Sequence, residues 1–379
     1  MVALSPASKA AIARLRSFVA PPTQYYHLPL TRRAAVLILL FADPKGDLRV
    51  VLTIRSSKLR NYAGQAALPG GKADALSETP WHTARREAFE EIGLPMSDDK
   101  LPPGYSVEHL TELPANLAMT ELGVRPCVAW LRHKRQRALV DDQSLVDESS
   151  TQDDDLNGSS PRDPDPARDL LPKLDAKEVA AVFTAPFANF LSALDLEPAD
   201  RDGVPGTWYK GAWHSWHEEP WRMHQFFVPT VRKGSVFRSA NAENTGLDAR
   251  VAPCSPKSQT PVLLADQKHK GGEIQKEAAD TAARSRPPPR KPAETESDDA
   301  LAQPRYRVFG MTARILVDAA RVAYVREPDF EHNSHFGDED MIARLMKIGR
   351  LSAEKKSGEV LTRDVMMKAK KEGKGAKLS

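Results

Sequence analysis

Cysteine is nearly missing from this chain. Cys127 and Cys254 are its two thiols, too few for a disulfide scaffold and suited to a reducing compartment. Neither stands in the CxxC or Cys/His spacing of a zinc site. Long apolar runs are missing as well. The best, AAVLILLFA at 34–42, is about half the ~20 residues of a membrane span, so no span is expected and the run reads as a buried strand. A net charge of +3 leaves little surplus of either sign, which argues against nucleic acid or another polyanion as partner. No acid occurs before Asp43, whereas Lys9, Arg14, Arg16, Arg32 and Arg33 do. An acid-poor basic opening is how a mitochondrial presequence would look. The plainer reading is a docking helix over 5–18, with Ile12, Leu15 and Phe18 on one side.

What is there falls into folded and unfolded compositions. Residues 34–42, a turn at 43–47 and residues 48–56 read as a hairpin, and Gly64 to Leu68 as a short strand. Residues 106–113 and 123–131 read as two more strands. A strand and a short helix follow over 174–191, then strands and turns over 207–229, where four of the six tryptophans lie. Residues 305–325 read as a strand, Gly310, and a helix burying Ile315, Leu316, Ala319, Ala320 and Val322. Between these lie stretches of another kind. Residues 141–169 hold ten Asp or Glu against two Arg and no aromatic, too little apolar surface to offset chain entropy. Residues 232–303 form a Pro-, Lys- and Ser-rich tract whose one aromatic is Phe237. The expected plan is therefore an N-terminal extension (1–24) and one discontinuous α/β (α+β) domain (25–345) with core segments 25–135, 173–231 and 304–345. Two disordered insertions, 136–172 and 232–303, interrupt it, and a basic tail (346–379) follows.

The chemistry concentrates in GGKADALSETPWHTARREAFEEIGL, residues 70–94. Its second half predicts a helix: Thr79 as N-cap, Pro80 in the first turn, Gly93 as the left-handed residue that ends it. Ala84, Ala88 and Ile92, with Trp81 nearby, form an apolar stripe. Glu87, Glu90 and Glu91 share the other face at i, i+3 and i+4. Like charges there repel by a few tenths of a kcal/mol, and the helix C-terminus disfavours anions by ~0.3–1 kcal/mol each. A solvated acidic face is the bland account. A divalent cation would reverse both penalties, since clustered hard oxygens suit Mg²⁺ or Mn²⁺. Arg86 can pair with Glu90 one turn on.

The string REAFEEIGL, with Glu78 eight residues before Arg86 and a Gly pair upstream, resembles the box of the Nudix hydrolases. Six residues separate Gly71 from Glu78 where that family has five. Just upstream, VLTIRSSKLRNYAGQAALPGG (51–71) resembles the additional signature of the coenzyme A diphosphatase branch, with Arg55, Ser56, Arg60, Gly64, Pro69, Gly70 and Gly71 in place. Val51 and Leu68 stand where that pattern has Leu and Phe, and Asp74 follows the glycines. Likeness to fungal-type members extends through LDAKEVAAVFTAPFANFL, WRMHQFFVP and FGMTARILVDAARVAY.

The resemblance implies an α/β/α sandwich with a mixed sheet, and metal-dependent hydrolysis of the diphosphate of coenzyme A or acyl-CoA to adenosine 3′,5′-bisphosphate and 4′-phosphopantetheine. Glu87 and Glu91, then Glu90, are the expected ligands of Mg²⁺ or Mn²⁺, with the Gly71 carbonyl as a further one, and Arg86 belongs to the catalytic box. The proton acceptor is open among Glu87, Glu90, Glu112 and Glu178, the last also readable as an ordinary solvent-side residue. Arg55 and Arg60, beside Gly70 and Gly71, are assigned to substrate phosphates, which guanidinium groups bind in bidentate fashion. Pairing with the box glutamates is their equal alternative. Lys58 reads as solvated. The tryptophan-rich segment could stack adenine, though aromatics at strand spacing are more often core. His332 and His335 read as surface histidines. Other nucleoside diphosphate derivatives, such as ADP-ribose or a dinucleoside polyphosphate, are the alternative substrates, and a non-catalytic scaffold binding proteins through its insertions is the alternative class. The chain ends AKLS, where AKL would be a peroxisomal address if Ser379 did not follow. A peroxisomal location is expected from the resemblance, with mitochondrion or cytoplasm as alternatives.

Overall fold

The apolar run at 34–42 becomes β1 (Arg33–Ala42), the strand on which the domain assembles. Its side chains alternate between two separate cores. Leu37, Leu39 and Phe41 face one, and Ile38 and Leu40 the other. A strand covered on both faces needs apolar residues at every position, which is why no polar alternation shows in its sequence. The chain is described here as a computed structural model covering residues 4–58, 62–133, 178–195, 207–216, 219–229, 238–239 and 305–354, with a few positions between 362 and 371.

β1 pairs antiparallel with β2 (Leu48–Arg55), Leu40 opposite Val50, as the expected hairpin. In its turn the Asp43 carboxylate accepts from the Lys45 and Asp47 amides. On its other edge β1 runs parallel to β7 (Gly123–His133), which pairs antiparallel with β5 (Tyr105–Glu112). β8 (Val179–Pro186) lies antiparallel on β2. Toward the start of β1 the sheet splits: β3 (Ala66–Ala67) pairs with β2, and β4 (Gly70–Lys72) with β1. β6 (Asn116–Leu117) adds to β7. One parallel pair among antiparallel ones makes the sheet mixed, as expected.

Helix α1 (Pro6–Ser17) docks as the amphipathic reading predicts, with Ala11, Ile12 and Leu15 buried. It packs with α3 (Gly310–Tyr324) over the Ile38 and Leu40 face. Helix α2 (Pro80–Ile92) covers the opposite face through Ala84, Ala88 and Ile92. A second sheet of β9 (Tyr209–Trp216), β10 (Glu219–Pro229) and β12 (Arg305–Phe309) contributes Phe226, Val228 and Val308 to the α1–α3 core.

Three places depart from expectation. The insertions at 136–172 and 232–303 lie outside the described residues, except that β11 (Arg238–Ser239) pairs with the open edge of β8. An edge strand offers unpaired backbone groups, and even two residues can take them. Helix α4 (Glu339–Lys347) was not foreseen; it buries Ile342 and Leu345 against Leu28 and Leu117. The start of the expected basic tail is docked as well: Leu351 is buried, and Arg350 reaches Glu121, which also binds Arg32 at 2.8 Å.

Candidate active site

Local rules place the acidic helix. The Thr79 hydroxyl accepts from the His82 amide, Pro80 occupies the first turn, and Gly93 closes the helix at φ 71°, ψ 15°. Tertiary packing then sorts the three glutamates. Glu91 is buried against β4 and accepts from the Gly70 amide at 3.2 Å. Glu87 lies against Gly71, where a Cβ would collide with its carboxylate. Glu90 is 48% exposed and reaches only toward Arg86, at 3.4 Å.

Arg86 does more than the expected pairing with Glu90. Its Nε donates to Glu78 at 2.9 Å, its Nη2 to the Lys72 carbonyl at 2.8 Å, and its Nη1 to Glu87 at 3.1 Å. Glu78 also accepts from the Asp74 amide and the Thr83 hydroxyl. Against the upward pull of burial, these hydrogen bonds hold Glu78 down to about 2. The guanidinium thus ties the loop before the helix to the helix itself and turns Glu87 toward β4.

Burial pushes Glu87 up to about 7, with Arg86 opposing and Glu90 and Glu178 adding to the rise. Burial likewise pushes Glu91 up to about 8, opposed by the Gly70 amide and Arg55 and reinforced by Glu87 and Glu178. Two half-compensated carboxylates against one glycine strand are a donor set that suits a hard divalent cation. Among the described residues no three His, Cys, Asp or Glu side chains form a ready-made cage. The pair Glu87 and Glu91, with the Gly71 carbonyl nearby in the chain, could hold such a cation, and Glu90 is the most exposed of the three glutamates.

The remaining candidates divide. Arg55 ends β2 and its Nη1 lies 4.0 Å from Glu91, so the glutamate-pairing alternative has geometric support at long range. Arg60 lies outside the described residues. Lys58 is exposed, as read. Glu112 is held by Arg125 at 3.1 Å, whereas Glu178, exposed at the mouth of β8, adds negative potential to both Glu87 and Glu91. Trp208 is core, against Phe190 and Phe226, and Trp213 hydrogen-bonds Glu331.

His332 corrects the sequence reading. Its side chain is 2% exposed and bonds His224 at 2.8 Å and Asp318 at 2.9 Å, while His224 also meets the Tyr209 hydroxyl at 3.0 Å. The carboxylate fixes the tautomers: His332 Nε2–H donates to Asp318, His224 Nε2–H donates to His332 Nδ1, and the Tyr209 O–H donates to His224 Nδ1. His335 is on the surface, as read.

A mixed sheet between helices, with a glutamate pair on a capped helix and a glycine strand opposite, is the α/β arrangement that the resemblance implies. Residues 31–115 match the model of the NUDIX domain. Over 194 residues it is 35% identical to peroxisomal coenzyme A diphosphatase 1 of Saccharomyces cerevisiae, covering 50% of this chain and 52% of that protein. Over 105 residues it is 47% identical to mitochondrial Nudix hydrolase 15 of Arabidopsis thaliana, covering 28% of this chain and 34% of that one. The chain thus spans about half or less of these relatives' length. Among solved structures, a Nudix hydrolase from M. smegmatis, RenU, aligns over 27% of this chain and 65% of its own, at 25% identity and TM-score 0.19.

Proposed function

We propose that this chain is a metal-dependent pyrophosphohydrolase that cleaves coenzyme A or an acyl-CoA into adenosine 3′,5′-bisphosphate and a 4′-phosphopantetheine. The observation that carries the reaction type is the pair of buried Glu91 and half-buried Glu87 facing the Gly70–Gly71 strand. A diphosphate resists hydrolysis because its anionic oxygens repel an incoming nucleophile. When bound, Mg²⁺ or Mn²⁺ neutralises that charge and acidifies water. Glu87 and Glu91 would hold it, with the Gly71 carbonyl as a further donor. Arg86 keeps Glu87 in place and, through Glu78, keeps the preceding loop on the helix. Glu178 is the favoured proton acceptor, because its charge acts on both glutamates while Glu112 is occupied by Arg125. Arg55 is suited to a substrate phosphate at the same edge.

The substrate reading rests on the 51–71 signature and on the activity for which the yeast relative is named. The relatives named as peroxisomal and mitochondrial leave the proposed compartment at peroxisome first and mitochondrion second. Incubating the purified chain with coenzyme A and Mn²⁺ should yield the two named products by chromatography. Turnover of ADP-ribose or a dinucleoside polyphosphate in place of coenzyme A would move the reading to that substrate class. No turnover on any diphosphate with either metal would replace the enzyme by a binding scaffold.

A further inference from the structure

We infer that Tyr62 is a specificity-determining residue of this site, stacking on the nucleobase of the substrate; the inference rests on the proposed nucleotide-bearing diphosphate. Tyr62 has φ 57°, a left-handed conformation that a bulky L residue adopts only at a cost. Tyr62 is 46% exposed, and among the described aromatic residues none pairs with it. A tyrosine that stores backbone strain while leaving its ring in water gains nothing for the fold from that position. Glycine, which stands two residues on at Gly64 with φ 70°, would take the same conformation without strain.

The loop around it is anchored beside the candidate active site. The Gly64 amide donates to the Arg55 carbonyl at 3.0 Å, the Arg55 amide to Gln65 at 3.0 Å, and the Gln65 amide to the Tyr62 carbonyl at 3.2 Å. Tyr62 is therefore held within two residues, at most about 7 Å of chain, of a glycine bonded to Arg55. Arg55 in turn stands 4.0 Å from Glu91. An exposed aromatic residue on the loop anchored to the Arg55 backbone, whose guanidinium neighbours the glutamate pair, suits a planar base next to its own phosphate. Of the two arms leaving the diphosphate, only the nucleoside offers such a plane, so the pantetheine arm lies elsewhere. Stacking of this kind tolerates any base, so the group selected is a nucleoside and not adenine in particular.

The test is binding and product inhibition. Calorimetry with Mg²⁺ should show adenosine 3′,5′-bisphosphate binding about tenfold more weakly to Tyr62→Ala than to wild type, with Tyr62→Phe close to wild type. In turnover, Tyr62→Ala should raise KM for coenzyme A by a similar factor, with kcat and inhibition by 4′-phosphopantetheine unchanged. Tyr62→Gly should show the same binding loss but a higher melting temperature than Tyr62→Ala, which separates stacking from loop damage. Equal binding of the bisphosphate by wild type and Tyr62→Ala, or equal weakening toward both products, overturns the assignment. So does wild type that binds no bisphosphate. Wild type that binds the bisphosphate through Tyr62 yet leaves coenzyme A intact overturns the proposed reaction and keeps the nucleoside subsite.

Discussion

His224 makes a sharp test of the second half of the fold. It is fully buried in β10, between Tyr209 of β9 and His332, which hands the chain of hydrogen bonds on to Asp318 of α3. Burial first, then its neighbours His332, Arg222 and Arg314, depress its pKa from 6.5 to about 3. Its contribution to stability is therefore fully present above pH 6.5 and is lost as the pH falls toward 3, because only the unfolded chain takes the proton in that window. Between pH 7 and pH 5 that linkage amounts to roughly 2 kcal/mol. Substituting His224→Gln keeps a donor and an acceptor but removes the titration. Denaturant unfolding of both proteins at the two pH values isolates the term, since every other titrating group is common to them. Wild type should lose about 2 kcal/mol more than the variant on acidification. Equal losses would show that the imidazole is already protonated, or already wet, at pH 7, and would dissolve the four-group relay.

Two glycine variants should separate fold from chemistry. A Cβ at Gly70 meets the backbone of Ala35 and Val36, so Gly70→Ala should cost about 1–3 kcal/mol or more in unfolding experiments. One at Gly71 meets only the movable Glu87 carboxylate, so Gly71→Ala should fold normally but lose metal-dependent turnover. In Glu91→Gln, the rise in melting temperature that Mn²⁺ gives wild type should vanish, and hydrolysis should fall by at least ~100-fold. A Mn²⁺ shift that survives the substitution would remove Glu91 from the candidate ligand pair.

Elements with strictly local causes were legible in the sequence. The caps of α2 follow from Thr79, Pro80 and Gly93 alone, and the apolar run of β1 reads as a buried strand. The order of burial among the glutamates was not legible. Glu90 and Glu91 are neighbours of one type, yet one is 48% and the other 5% exposed on its side chain. That contrast is set by where β4 crosses the helix, a fact about Gly70 and Val36 and not about the helix. His332 was misread for a similar reason. Its partners Asp318 and His224 stand 14 and 108 positions away, so no spacing within its own loop could reveal them. Helix α4 escaped notice because its buried residues, Ile342 and Leu345, are set among Glu339, Asp340, Arg344 and Lys347.

The extra residue between Gly71 and Glu78 shows which part of the motif the physics protects. The loop absorbs it in a turn, with the Glu78 amide on the Ala75 carbonyl at 3.1 Å and the Asp74 amide on the Glu78 carboxylate at 2.8 Å. Glu78 still arrives at Arg86, 2.9 Å away. Loop length enters stability only weakly, through chain entropy, so one residue more is cheap as long as the side chain reaches. A Cβ at Gly70 has no such freedom, because the backbone of β1 already fills the space, and one at Gly71 would displace the Glu87 carboxylate. The spacing of the motif is therefore a soft requirement, whereas its two glycines and the Arg86–Glu78 contact are hard ones.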